Sequence, residues 1–253
     1  EILSGRVGSE MCIRDRPYSG ASAMVYSRWR RKLPQWLHLQ PLELPGRGAR
    51  YAEPLHTDMR ELARQLALEI RGTLRTPYAL FGHSLGALLA CELAHALRAL
   101  GCPEPVALFA SGTAAPTLRT EYDRGFAEPK TDEQLIEQLR TLNGTSEEVL
   151  ANQELMSLTL PILRADFLLC GRFRPVQRPL LNCPVHVLGG KTDRATTEQL
   201  IGWSKETHGS FSVDMLAGGH FFIHEHEAKV LSLLKGHLEV HRRRHLQPVA
   251  AVS

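Results

Sequence analysis

The sequence predicts an α/β protein: a doubly wound, mostly parallel sheet with a helical lid inserted into it. Three observations predict this class. Short apolar runs alternate with amphipathic stretches of helical period, the rhythm of right-handed strand-helix-strand crossovers. Gly82-His83-Ser84-Leu85-Gly86 lies between an apolar run and a helical one, as in the G-x-S-x-G turn that lifts a serine hydroxyl above the end of a sheet. Between Gly112 and Leu181 the strands stop and helix-spaced residues take over.

Composition narrows the class. The 253 residues are 43% hydrophobic and 23% charged, enough for one large α/β domain. The 27 acidic residues are mixed among 30 basic ones for a net charge of +3, so no general basic face awaits nucleic acid. Cys12, Cys91, Cys102, Cys170 and Cys183 are scattered and contain no C-x-x-C pair, which favours reduced thiols over disulfides or a zinc knuckle. No apolar run reaches membrane-span length and no secretory core opens the chain. The expectation is a soluble, cytoplasmic monomer.

Taken in order, residues 1–16 show neither strand alternation nor helical period, and Arg14, Asp15 and Arg16 stand where a buried strand belongs. This stretch therefore reads as a foreign extension standing in place of a natural strand, ahead of a single domain over 17–240. Pro17 to Ala23 is a small-residue loop, followed by a short helix carrying Met24, Trp29 and Leu33 toward one side. Leu37, Leu39 and Leu42 suggest a strand closed by the turn at Leu44-Pro45-Gly46-Arg47-Gly48. Thr57 and Asp58 open an amphipathic helix through Met59, Leu62, Leu66 and Ile70. The strand before Ser84 comes next, then a helix through Leu100 that stops at Gly101. Pro105 to Ala110 reads as a strand buried on both faces.

The lid insertion spans about 112–181. Thr131 to Gln134 and Thr145 to Glu148 are capping-box candidates, and the apolar stretch Leu155 to Leu169 is broken by Pro161. Strands resume at 184–188 and 211–216, with a helix through Leu200, Ile201 and Trp203 between them. A last helix carries Val230, Leu231, Leu234 and Leu238, and residues 241–253 read as a frayed tail.

A serine hydroxyl is a poor nucleophile at neutral pH, so Ser84 needs a base and a carboxylate to orient that base. Asp193 follows the strand at 184–188 and His220 follows the strand at 211–216, both on the rim that carries Ser84. His220 is the expected general base and Asp193 its partner; Asp166 and Asp214 are the rival carboxylates. His83 reads as a packing neighbour of the elbow. The oxyanion donors are expected at Leu85 N–H and at Ser19 N–H, with Tyr18 the adjacent alternative. His224 and His226 stand two apart, a spacing that turns helical side chains away from each other, so no metal is expected. No cofactor site is read either.

Pro17-Tyr-Ser-Gly-Ala-Ser22 with Trp29, Leu44-Pro-Gly-Arg-Gly-Ala-Arg50, Phe81-Gly-His-Ser-Leu-Gly-Ala87, the stretch Leu155 to Asp166 ending Leu-Pro-Ile-Leu-Arg-Ala-Asp, and Gly218-Gly-His-Phe-Phe222 together resemble the type II thioesterases, α/β-hydrolases associated with nonribosomal peptide and polyketide synthases. The likeness runs from Pro17 to about Leu238, except that the family enters the Pro17 loop from an apolar strand. It implies hydrolysis of acyl thioesters from the phosphopantetheine arm of an acyl- or peptidyl-carrier domain, clearing stalled or misprimed groups. Ser84, Asp193 and His220 would be the triad and the insertion a lid, with basic and apolar residues near its rim meeting an acidic carrier. A medium-chain fatty-acyl carrier thioesterase, a general carboxylesterase and a non-catalytic binding protein on the same fold remain the alternatives.

Overall fold

The structure is a computed structural model and describes residues 10–74, 77–142 and 144–246, without side chains for 244–246. Its centre is a sheet of six parallel strands in the order β2-β1-β3-β4-β5-β6. These are β1 (Met11–Arg16), β2 (Leu37–Leu39), β3 (Tyr78–His83), β4 (Ala107–Ser111), β5 (Val185–Gly190) and β6 (Phe211–Leu216). Leu80, Phe81, Leu108 and Phe109 are fully buried, as strands covered on both faces require.

Helices α1 (Met59–Ile70) and α2 (Leu85–Ala99) cover one face. Asp58 caps α1 by accepting from Arg60 N–H and Glu61 N–H at 2.9 and 2.8 Å. The other face is covered by a 3₁₀ helix (Ala23–Arg31) and by a C-terminal helix described below. Three residues per turn align Ala23, Tyr26 and Trp29 toward the sheet. Met24, expected on the same side as Trp29, is 69% exposed for that reason.

Between β4 and β5 lie α3 (Glu121–Arg124), α4 (Asp132–Leu142), α5 (Glu147–Ala151) and α6 (Gln153–Arg172). Thr131 and Gln134 form the expected reciprocal cap of α4. The next cap sits one residue later than read: Ser146, not Thr145, accepts from Val149 N–H. Pro161 does not break α6, which runs through it as one helix. Leu135, Leu160, Leu163 and Phe167 give these helices a core of their own. After β5 come α7 (Thr197–Ile201), α8 (Phe222–Glu225) and α9 (Glu227–Leu246). Residues 241–246 continue α9 rather than fraying, with Glu239 paired to Arg242 and Arg243 one turn on. Residues 247–253 of the expected tail lie outside the described residues.

The largest departure is β1. Residues 1–9 lie outside the described residues, while Met11–Arg16 occupies a strand position in the sheet: it pairs with β2 and β3 along its length and every residue is buried. Backbone pairing and three apolar residues carry it, Met11 and Ile13 into one core and Cys12 into the other. The charged half fits poorly. Arg14 reaches Thr73 and Arg16 donates to Arg14 O, whereas both carboxylate oxygens of Asp15 are buried without a hydrogen-bond partner among the described residues.

Strand order places the site. β2 lies on one side of β1 and β3 on the other, so the carboxyl ends of β1 and β3 open the crevice where such sheets bind ligands.

Candidate active site

Ser84 sits in that crevice at the end of β3. Its φ of 56° and ψ of −119° make it the one non-glycine residue with positive φ among the described residues, the strain expected at a nucleophile elbow. The flanking glycines are required by contact. A Cβ on Gly82 would lie 1.9 Å from Gly86 O, and one on Gly86 would lie 2.4 Å from Arg16 O. Ser84 N–H donates to Ser111 O at 2.7 Å, and α2 begins at Leu85. The Leu85 N–H thus belongs to a first helical turn, whose donors have no acceptor inside the helix.

Two further strand ends supply the partners. Asp193 lies in the turn leaving β5, its N–H bonded to Gly190 O. His220 lies in the loop leaving β6, where Gly218 takes φ +92°. His220 Nδ1 is 3.1 and 3.0 Å from the two carboxylate oxygens of Asp193. With Nδ1 held there, Nε2 is the ring nitrogen left for chemistry. Ser84, Leu85, Asp193 and His220 share the wall of one cavity of about 350 Å³.

The rival carboxylates are engaged elsewhere. Asp214 meets His237 Nε2 at 3.6 Å, and Asp166 forms a buried pair with Arg47. His83 is fully buried, with Nδ1 2.9 Å from Ser111 Oγ. Burial and the charges of His220 and His224 push its pKa well down, so it packs beneath the site as a neutral ring. His224, weighed as a metal ligand, has Nε2 3.0 Å from Tyr18 Oη and Nδ1 3.3 Å from Arg28.

Tyr18 and Ser19 also line the cavity. They belong to a tight turn in which Ala21 N–H donates to Tyr18 O at 3.1 Å and Gly20 takes φ +79°, the left-handed third position that favours glycine. The Gly20 N–H donates to Asp166 Oδ2 at 2.8 Å, which leaves the N–H groups of Ser19 and Tyr18 as the loop's donors for an oxyanion.

The inserted helices close the cavity with Phe126, Leu142, Phe167 and Cys170. Phe126 and Phe167 lie 4.8 Å apart between centroids. Arg194, next to Asp193, places its guanidinium 4.3 Å above the Tyr122 ring. Sequence reading missed Tyr122, Phe126 and Arg119 on this wall. Two aromatic residues in the otherwise polar run Glu121 to Phe126 were the available signal.

The family described as Thioesterase domain matches residues 16–238. The Gramicidin S biosynthesis protein GrsT of Aneurinibacillus migulanus is 38% identical over 219 residues, covering 86% of this chain and 85% of GrsT. Among solved structures, the RedJ thioesterase from the prodiginine biosynthetic pathway of Streptomyces coelicolor superposes with a TM-score of 0.82 at 35% identity, covering 90% of this chain and 85% of RedJ. The type II thioesterase BorB from the borrelidin biosynthetic cluster gives a TM-score of 0.82 at 36% identity, covering 91% of this chain and 93% of BorB.

Proposed function

Because the chain belongs to the thioesterase domain family, we propose that its Ser84, His220 and Asp193 hydrolyse acyl thioesters on the phosphopantetheine arm of a carrier domain. The chain is a serine hydrolase of the thioesterase class, similar to proteins of gramicidin S and borrelidin biosynthesis and of the colibactin and yersiniabactin NRPS/PKS pathways. Its task within such a pathway is to clear stalled or misprimed acyl groups from acyl- or peptidyl-carrier domains. The substrate arm arrives with the carrier, so the chemistry needs no resident cofactor.

The steps follow from the residues. Ser84 Oγ bonds to the thioester carbonyl carbon while His220 Nε2 takes the hydroxyl proton. The tetrahedral oxyanion accepts from Leu85 N–H and Ser19 N–H. Its collapse breaks the C–S bond, and the departing sulfur takes the proton from His220. Water then attacks the acyl-serine with His220 again as base. Collapse breaks the ester C–O bond, returns the proton to Ser84 and releases a carboxylic acid. Asp193 holds the imidazole orientation and stabilises its cationic form through both stages.

The observation that carries this reading is the sharing of one cavity by Ser84, on its strained backbone, and by His220, held at Nδ1 by Asp193. Its apolar wall suits an acyl chain. The test is release of free acid from an acyl-carrier protein by the wild type and by Ser84→Ala, with trapping of the acyl-enzyme by mass spectrometry. The serine variant should fall at least about a thousandfold and form no adduct; equal rates would sink the proposal.

A further inference from the structure

Three stretches far apart in the chain converge beside the oxyanion loop. Arg47 donates through Nη1 and Nη2 to the two oxygens of Asp166 at 2.6 and 2.7 Å. Asp166 Oδ2 also accepts from the Gly20 N–H at 2.8 Å, and Arg47 Nη1 reaches Ala21 O at 3.4 Å. Arg47 is 4% exposed and Asp166 not at all. A charged pair withdrawn from water this fully is a poor device for stability alone, because apolar residues of similar volume commonly serve as well. Here one carboxylate oxygen has a second duty, to the loop that carries Ser19.

The surroundings make the hold specific. A Cβ on Gly20 would lie 3.2 Å from Leu163 Cδ1, so the loop already rests on α6. Gly46 and Gly48, on either side of Arg47, take φ +81° and +51°. Glu43, just before them, accepts from Ser22 Oγ at 2.7 Å and from Ala23 N–H at 3.0 Å. The segment from Glu43 to Gly48 thus grips the far end of the oxyanion loop while Asp166 grips its middle. One residue after Asp166, Phe167 lines the cavity, as does Cys170 one turn further on.

We propose that Asp166, held by Arg47, is a positioning residue for the oxyanion hole: its bond to Gly20 N–H fixes the turn so that Ser19 N–H faces the reacting carbonyl. It touches neither substrate nor Ser84 and acts through the loop backbone. This inference rests on the proposed thioester hydrolysis. It also joins the oxyanion loop to the helix that lines the acyl cavity.

The test separates the carboxylate's grip on the loop from its part in the ion pair. Removing one partner would leave a buried charge alone, so both are replaced together. Arg47→Met with Asp166→Leu fills the volume and removes the acceptor; Arg47→Met with Asp166→Asn removes the charges and keeps an acceptor for Gly20 N–H. Hydrolysis of an acyl-N-acetylcysteamine thioester is followed, with thermal melts to establish folding and Ser84→Ala as the reference. The Leu variant should melt like a folded protein and lose roughly ten- to a hundredfold in kcat, less than deletion of an oxyanion donor, with KM within about twofold. The Asn variant should recover to within about threefold of wild type. A folded Leu variant with wild-type kcat overturns the inference, as does an Asn variant as slow as the Leu variant. Wild-type hydrolysis no faster than Ser84→Ala overturns the proposed function and the inference with it, and is read without either double variant.

Discussion

Asp15 makes a sharp prediction about stability against pH. Its side chain is fully buried on β1 and both carboxylate oxygens lack a partner among the described residues. Burial raises its pKa from the ordinary 3.8 to about 7, against the weaker opposing pull of its own backbone N–H and of Arg16 and Arg30. Between these values the unfolded chain has released the proton that the folded chain still holds. Folding therefore binds a proton in this window, and stability falls as pH rises from about 4 to about 7. The full shift corresponds to on the order of 4 kcal/mol. Asp15→Asn removes the titration and leaves a buried amide that still costs about 2 kcal/mol. The variant should thus gain about 2 kcal/mol over wild type at pH 8, or roughly 4–8 °C in melting temperature for a chain of this size. At pH 4, where the wild-type carboxyl is protonated and only the amide cost remains, the variant should be about 2 kcal/mol less stable than wild type. Urea unfolding followed by circular dichroism at pH 4, 6 and 8 measures both slopes. If Asp15→Asn loses stability with pH as steeply as wild type, the burial argument is wrong.

Two further predictions concern the site. Gly82→Ala drives a methyl into Gly86 O and its neighbours, a backbone collision that should cost about 3 kcal/mol; a wild-type urea midpoint would mean that α2 can slide clear of β3. Asp193→Asn keeps the geometry but frees the imidazole tautomer, so kcat on an acyl-carrier substrate should drop roughly 10⁴-fold with KM little changed. A loss under tenfold would assign the orienting role to another group.

Much of this molecule was legible because its signals are local. Gly82 and Gly86 announce the elbow through a steric rule that needs no tertiary knowledge. The position of His220 and Asp193 just after apolar runs put them on the rim of Ser84. What escaped depends on contacts distant in sequence. The Arg47–Asp166 pair joins the turn after β2 to helix α6, and neither residue advertises its partner. Met24 was misplaced because a 3₁₀ helix repeats every three residues, whereas the reading assumed an ordinary helical face. At β1 the sequence and the structure carry the same signal: Arg14, Asp15 and Arg16 are poor strand interiors, and their orphaned polar atoms are the physical trace of that misfit.

The elbow meets that strand in a particular way. The atoms nearest a Cβ on Gly86 are Arg16 O, Pro17 O and Arg16 C, all main chain. The turn that presents Ser84 therefore consults β1 as a length of polypeptide rather than as a text. Any residues that keep the pairing with β2 and β3 would seat it, so this strand's lettering can change greatly while the nucleophile stays in place.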